Sequence, residues 1–345
     1  MQEHHNLALS ELTTLRLGGP ARRVLTVTSA QEIIDAVREV DSGDDRLLVL
    51  GGGSNLVAPD AGFPGTVVRI ASRGITIASQ DACSGATITV AAGEPWQDVV
   101  GHTIDNGWVG IETLAGIPGL TGATPIQNVG AYGQDVSQTV AQVRTWDRET
   151  GAVRTFAGSD CGFAYRHSRF KGSARWVVLE VMFQLAVGSL GRSVRYGELA
   201  RCLGVEVGGR APLVDVQAAV LDLRAGKGMV LDAADHDTWS AGSFFTNPVL
   251  TQELATRLPP AAPRFPDAEG KVKTSAAWLI EQAGFPKGYG RGPARLSTKH
   301  TLALTNRGGA HTADLLALAR EIRAGVQDRF GVELVNEPVL LDMTL

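Results

Sequence analysis

Cysteine is scarce in this chain: Cys83, Cys161 and Cys202 are all there is in 345 residues. Three scattered thiols supply neither a disulfide framework nor a metal cluster, so a reducing, cytoplasmic setting is expected, with no metal. Long apolar runs are also missing. The best candidate, Trp176 to Val187, is broken by Glu180 and Gln184 and falls short of the roughly 18 apolar residues a spanning helix needs. Met1 to Leu17 has no basic stretch ahead of an apolar core, which argues against a signal peptide. There is no basic surplus either. Lys and Arg number 32 against 36 Asp and Glu, for a net charge of -4, which speaks against a sequence-independent nucleic-acid binder. Hydrophobic residues at 44% and charged residues at 20% are ordinary for a folded globular chain and exclude disorder. What is abundant is glycine, 41 residues, clustered rather than periodic. Clustering excludes collagen and points to specialised loops. The length suggests two or three domains.

The pattern along the chain is mixed. Ser29 can cap a helix whose apolar face is Ile33, Ile34, Val37 and Val40. Leu47 to Leu50 is a short apolar strand that runs into Gly51-Gly52-Gly53. Strands are expected at Thr66 to Ile70, Thr87 to Ala91, Val140 to Trp146, Val153 to Phe156 and Trp176 to Ala186, with a helix over Trp96 to Asn106. After about residue 225 the pattern changes. A helix is expected over Thr274 to Ala283, a strand over Thr301 to Thr305, a long amphipathic helix over Thr312 to Phe330 and a strand over Val332 to Val335. The four prolines of Pro259 to Pro266 mark a surface loop. The two strands flanking the long helix suit a separate α+β domain.

Five clusters could carry chemistry. Gly51, Gly52, Gly53, Ser54 and Asn55 follow a strand, and consecutive backbone N–H groups there can cradle phosphate oxygens; a plain tight turn is the competing reading. The cluster matches neither GxGxxG nor a P-loop. A second loop spaces Gly116, Gly119, Gly122, Gly130 and Gly133 among Thr121, Thr124, Gln127 and Asn128, whose hydrogen-bonding groups suit a flat heteroaromatic ring or a diphosphate; an Ω-loop is the alternative. Two glycine loops of different type favour an extended phosphorylated cofactor. Tyr165 to Lys171 holds four basic residues in seven, interleaved with aromatics, and an arginine fork there suits a carboxylate or phosphate. Ala241 to Pro248 places Ser243 between glycine and two phenylalanines, like a pocket wall, and is not an acyl-transfer elbow. Glu337, in Val335-Asn336-Glu337-Pro338, has nothing local to distinguish it from a solvent-exposed acid.

Together these segments resemble the UDP-N-acetylenolpyruvoylglucosamine reductase (MurB) family over nearly the whole chain. Leu15-Arg16-Leu17-Gly18-Gly19-Pro20-Ala21 is similar to its opening motif. Gly51 to Leu56 looks like its first flavin-phosphate loop, and Gly116-Ile117-Pro118-Gly119 through Gln127 to Gly133 like its second. Tyr165-Arg166 with Ser168, Phe170 and Lys171, and Ala241 to Phe245 with Asn247-Pro248, match two further motifs.

The resemblance implies an α+β chain with an FAD-binding fold of the vanillyl-alcohol-oxidase (PCMH) type in two subdomains, 1–70 and 71–225. A C-terminal α/β substrate-binding domain covers 226–334, and 335–345 rejoins the first subdomain. It implies non-covalent FAD held by Gly51, Gly52, Gly53, Ser54, Asn55, Gly116, Pro118, Gly119, Gly122, Ala123, Gln127, Asn128, Gly130, Ala131 and Tyr132. NADPH is the implied reductant. By the same resemblance Ser243 is the general acid, and Arg166 with Glu337 polarises the substrate carboxylate. Tyr196 closes over the substrate, and Tyr165, Lys227, Asn247 and His300 contact it or NADPH. The expected partners are small molecules, with no nucleic acid or membrane, and the chain is expected to be monomeric. Two departures stand out: the segment between Lys227 and Ser243 is longer than in many members, and Pro338 follows Glu337 where valine is usual. An FAD oxidase of the same fold, or a non-catalytic flavin-binding module, is the alternative.

Overall fold

In the computed structural model, which describes every residue except Ala82, Ala268 and Glu269, the chain divides into two compact units. The first comprises residues 1–7, 21–52 and 64–225; the second comprises 8–20, 53–63 and 226–345.

The first unit carries two main sheets besides a two-stranded ribbon. One is four-stranded, in the order Gln2–Ala8, Pro20–Val27, Phe63–Ile70, Leu47–Leu50, with the last pair parallel. The helix Ala30–Asp41 links its second and fourth members. Ser29 caps that helix by accepting from Glu32 N at 3.2 Å, and Ile33, Ile34, Ala36, Val37 and Val40 are its buried face. The other sheet runs Ala152–Ala157, Val140–Asp147, Trp176–Val187, Gly85–Ala91, Ile75–Asp81, its pairs antiparallel. The outer strand Ile75–Asp81 was not anticipated, because little of it is buried and it shows no apolar face. The central strand Trp176–Val187 is the apolar run that Glu180 and Gln184 interrupt. Both find cross-strand partners: Glu180 pairs with Arg144 at 2.9 Å, and Gln184 bonds Thr87 and Ser84. Among the described residues no helix is long and apolar enough to cross a membrane.

The second unit packs the helices Ala276–Gln282 and Thr312–Phe330 over short strands. Long-range bonds gather its three segments. Thr14 Oγ1 donates to Ser240 O at 2.7 Å, Asn306 Nδ2 to Leu15 O at 3.1 Å, and Thr312 N to Asp60 Oδ1 at 2.7 Å. Residues 8–20 and 53–63 therefore group with 226–345. Two expected strands differ. Val332 to Val335 is not a strand. Its neighbour Asn336 makes one isolated bridge with Phe245, and Val339–Leu340 is the strand, parallel to Leu56–Val57. The two strands expected to flank the long helix thus do not pair with each other. The strand expected at Thr301 to Thr305 is Leu304–Asn306, because Thr301 and Leu302 lie in a turn closed by Ala303 N donating to His300 O. It pairs with Ala294–Leu296.

All three thiols are free. Cys83 and Cys202 are exposed, whereas burial pushes the Cys161 thiol up to about 11, and its Sγ donates to Ala157 O at 3.3 Å. A thiol reagent at pH 8 is therefore expected to label Cys83 and Cys202 rapidly in the native protein and Cys161 only after denaturation. Three rapid equivalents would contradict that burial.

Candidate active site

In the first unit the two glycine loops meet backbone to backbone. Gly51 and Gly52 leave the strand Leu47–Leu50, and a Cβ at Gly52 would sit 2.9 Å from Gly119 Cα. A Cβ on Gly122 would likewise sit 2.6 Å from Ala92 Cβ, and Gly122 N donates to Ala92 O at 2.8 Å. Gly116 and Gly119 have φ of +71° and +124°, which L side chains rarely adopt. The loop is therefore ordered. Asn128, itself left-handed at φ 45°, donates to Ala164 O and accepts from Ser137 N. Gly130–Ala131 then pairs with Gln134–Asp135 across a two-residue turn of Tyr132 and Gly133, both at positive φ, which puts Tyr132 at a hairpin tip.

Arg166 sits on a second tight turn. Ala164 and His167 exchange backbone bonds of 3.0 and 3.1 Å, and Arg166 between them is held at φ 51°. Its Nη2 donates to Gly130 O at 2.7 Å, and Lys171 Nζ donates to its carbonyl at 2.9 Å. A Cβ on Gly130 would lie 3.1 Å from Arg166 Nη1, so glycine there leaves room for the guanidinium. Ser168 is buried and donates to Ile126 O at 2.8 Å, which ties this motif to the second glycine loop. Tyr165 is exposed, with the Arg166 guanidinium 5.4 Å from its ring centre. The Tyr196 ring meets Tyr132 edge-on at 6.0 Å.

Sequence reasoning missed Arg224, on the helix Leu213–Gly226. Burial holds its guanidinium down to about 10, and the Arg166 charge pushes it the same way. Its only signal was a basic residue three before Lys227.

The second unit brings Ser243 and Glu337 together. Phe244 N donates to Leu302 O at 2.7 Å, Phe244 O accepts from Glu337 N at 2.8 Å, and Thr246 N donates to Val335 O at 3.0 Å. The buried rings of Phe244 and Phe245 clamp this crossing, and Gly242 turns into it at φ 72°. Ser243 and Glu337 are both half-buried. Asn247 uses its side-chain oxygen to accept from Ala276 N at 3.0 Å, at the start of the helix Ala276–Gln282, so part of its polarity serves the fold. His300 lies in the turn after Ser297, whose Oγ accepts from His300 N. Gly53 must be glycine: at φ 61°, a Cβ would sit 2.0 Å from Leu12 O. Ser54 and Asn55 follow it, and Asn55 Nδ2 donates to Glu337 O at 3.4 Å. The first glycine loop thus passes from one unit to the other between Gly52 and Gly53. The long segment after Lys227 is pinned by Asp237, which accepts from Thr298 N and Oγ1 and from Arg307 Nη1.

Residues 21–157 match the model of an FAD binding domain, and residues 233–341 match that of the C-terminal domain of UDP-N-acetylenolpyruvoylglucosamine reductase. The chain is 57% identical to the UDP-N-acetylenolpyruvoylglucosamine reductase of Streptomyces coelicolor, over 100% of this chain and 92% of that one. It is also 57% identical to that of Thermobifida fusca, over 99% and 98%. The chain belongs to the UDP-N-acetylenolpyruvoylglucosamine reductase family. A solved reductase of this family from Thermus caldophilus superposes with a TM-score of 0.66 at 25% identity, covering 98% of both chains. Most of the residues matched by the FAD binding domain model lie in the first unit. Glycine at 52 lets the two loops pack backbone against backbone, where a Cβ would clash with Gly119, and loops bare of side chains present the N–H groups that suit a diphosphate.

Proposed function

We propose that Arg166, Ser243 and Glu337 are the catalytic residues of this NADPH-dependent flavoenzyme. It reduces the enolpyruvyl group of UDP-N-acetylglucosamine-enolpyruvate to UDP-N-acetylmuramate, in peptidoglycan precursor synthesis. Bound FAD, reduced by NADPH, supplies the hydride. The chain's own residues handle charge and proton. Hydride addition to the terminal carbon drives negative charge onto the substrate carboxylate, and the Arg166 guanidinium offsets it. Glu337 cannot help as a bare anion beside that charge, so it acts protonated, paired with Arg166 or through hydrogen bonding. The resulting enolate-like carbon is strongly basic, so a positioned hydroxyl, that of Ser243, is acidic enough to protonate it. The observation that carries this reading is the crossing at Phe244, whose carbonyl accepts from Glu337 N and so sets Ser243 beside Glu337.

In the same reading Gly51, Gly52, Gly53, Ser54, Asn55, Gly116, Pro118, Gly119, Gly122, Ala123, Gln127, Asn128, Gly130, Ala131 and Tyr132 hold FAD. Tyr165, Tyr196, Lys227, Asn247 and His300 hold substrate or NADPH. The chain works in the cytoplasm as a monomer; a dimer mass in light scattering would contradict the latter.

Steady-state turnover with NADPH and the enolpyruvyl substrate tests the function. Oxygen-dependent turnover of an alcohol without NADPH would favour an oxidase, and no turnover at all a binding module. FAD is expected to be non-covalent, since the first loop carries Ser54 and Asn55 and neither histidine nor cysteine. Acid precipitation should leave a colourless pellet and intact FAD in the supernatant. Flavin retained in the pellet would refute this.

A further inference from the structure

Glu112 is fully buried, with 0% exposure, yet no motif of the site includes it. Three neutral N–H groups surround its carboxylate. Gly110 N donates to Oε2 at 2.7 Å, while Gln134 Nε2 and Arg192 N donate to Oε1 at 2.9 and 2.6 Å. The two donors to Oε1 come from different places. Gln134 belongs to the hairpin that carries Tyr132, in register with Ala131. Its own Oε1 accepts from Thr113 N and Oγ1, and Thr113 Oγ1 also donates to Ala131 O. Arg192 stands four residues before Tyr196, on an excursion whose base is closed by Gly191 N donating to Ala211 O and Val194 N to Gly209 O. Gly191 fits against the same carboxylate: a Cβ there would lie 3.0 Å from Oε1. At the far end of this arrangement the Tyr132 and Tyr196 rings meet, and Gly133 leaves room for Arg195, 3.1 Å from where a Cβ would be.

A carboxylate accepts at both oxygens and donates from neither, so it serves three converging N–H groups as no amide can. We propose that Glu112 is a positioning residue that fastens the base of the Tyr196 loop to the Tyr132 hairpin and so sets the closing tyrosine at the substrate. This rests on Tyr196 being the residue that closes over substrate. Glu112 touches neither substrate nor cofactor; it acts through the backbone of Arg192.

The test exploits the geometry. Glu112→Gln alone puts an amide N–H against donors on every side and risks misfolding. Glu112→Gln combined with Gln134→Glu exchanges the polarity of that pair. Gln at 112 then donates to Glu at 134, which still accepts from Thr113, and its oxygen still accepts from Gly110 N. Only the bond to Arg192 N is lost. We expect this double variant to keep the wild-type melting temperature within a few degrees. Its KM for the enolpyruvyl substrate should rise about tenfold, the cost of one hydrogen bond to a charged group, with kcat changed about twofold at most. The loop at residues 188–212 should be nicked faster by protease without substrate. Gly191→Ala, which pushes the loop off Glu112 without touching the carboxylate, should do the same. Tyr196→Ala is the reference. If it raises KM while the double variant and Gly191→Ala leave both KM and proteolysis at wild-type values, the role of Glu112 is overturned and the closing role of Tyr196 stands. If Tyr196→Ala leaves KM unchanged, the closing role falls, and the proteolysis arm still decides whether Glu112 anchors the loop.

Discussion

Ser243→Ala is expected to split the catalytic cycle in two. Bleaching of the flavin absorbance by NADPH should stay within about twofold of wild type, because no proton has to reach a substrate carbon in that half. Return of the absorbance on adding the enolpyruvyl substrate should slow by at least the ~10²–10⁴-fold typical of a lost general acid. The structure makes this a clean substitution. The bonds that hold the turn run through Gly242 N and through the backbone of Phe244, to Leu302 and Glu337, and use no atom of the Ser243 side chain. Phe244 and Phe245 are buried in their own right. Ser243→Cys should recover part of the rate, since a thiol also gives up a proton. Stopped-flow absorbance reads both halves. Equal slowing of the two would end the proton-donor assignment and leave Ser243 as part of the turn.

Arg166→Lys is expected to be nearly as damaging in the same half-reaction. The guanidinium donates Nη2 to Gly130 O and holds its N–H groups in one plane, which an ammonium cannot reproduce. Loss of one such electrostatic contact in the transition state costs about 3 kcal/mol, or roughly 10²–10³ in rate. Lysine meets the same left-handed strain as arginine at φ 51°, so the turn itself is not placed at extra risk. Glu337→Gln, alone and combined with Arg166→Lys, completes a cycle. If both residues act on one carboxylate, the double variant should lose much less than the product of the single losses. Strict additivity would separate Glu337 from Arg166, and an Arg166→Lys enzyme with wild-type kcat/KM would remove Arg166 from the chemistry.

Local signals in the chain were enough for much of this. The helix Thr312–Phe330 was legible to the residue, because an apolar stripe lies between two chemical stops. At its start His311 N donates to Asp314 Oδ2 at 2.8 Å, and at its end Gly331 turns left-handed at φ 66°. The glycine loops were legible for the same reason: only glycine tolerates the approach of Gly52 to Gly119 or the conformation of Gly53, and the composition betrays it. Tyr165-Arg166 and Ser243-Phe244-Phe245 announced themselves as compact groups of unusual neighbours. What tertiary structure alone decided is whatever depends on contacts between distant residues. Nothing near Val339 says that its strand will lie beside Leu56–Val57, and nothing near Thr14 says that its hydroxyl will bond Ser240, 226 positions away. Val332 to Val335 has the composition of a strand, yet folding gave that stretch no ladder, and its neighbour Asn336 makes only an isolated bridge with Phe245. Arg224 and Glu112 gave no signal because their surroundings come only from the tertiary fold. A lone arginine or glutamate in sequence reads as surface charge, and becomes an instrument only when neighbours from elsewhere in the chain exclude water from it.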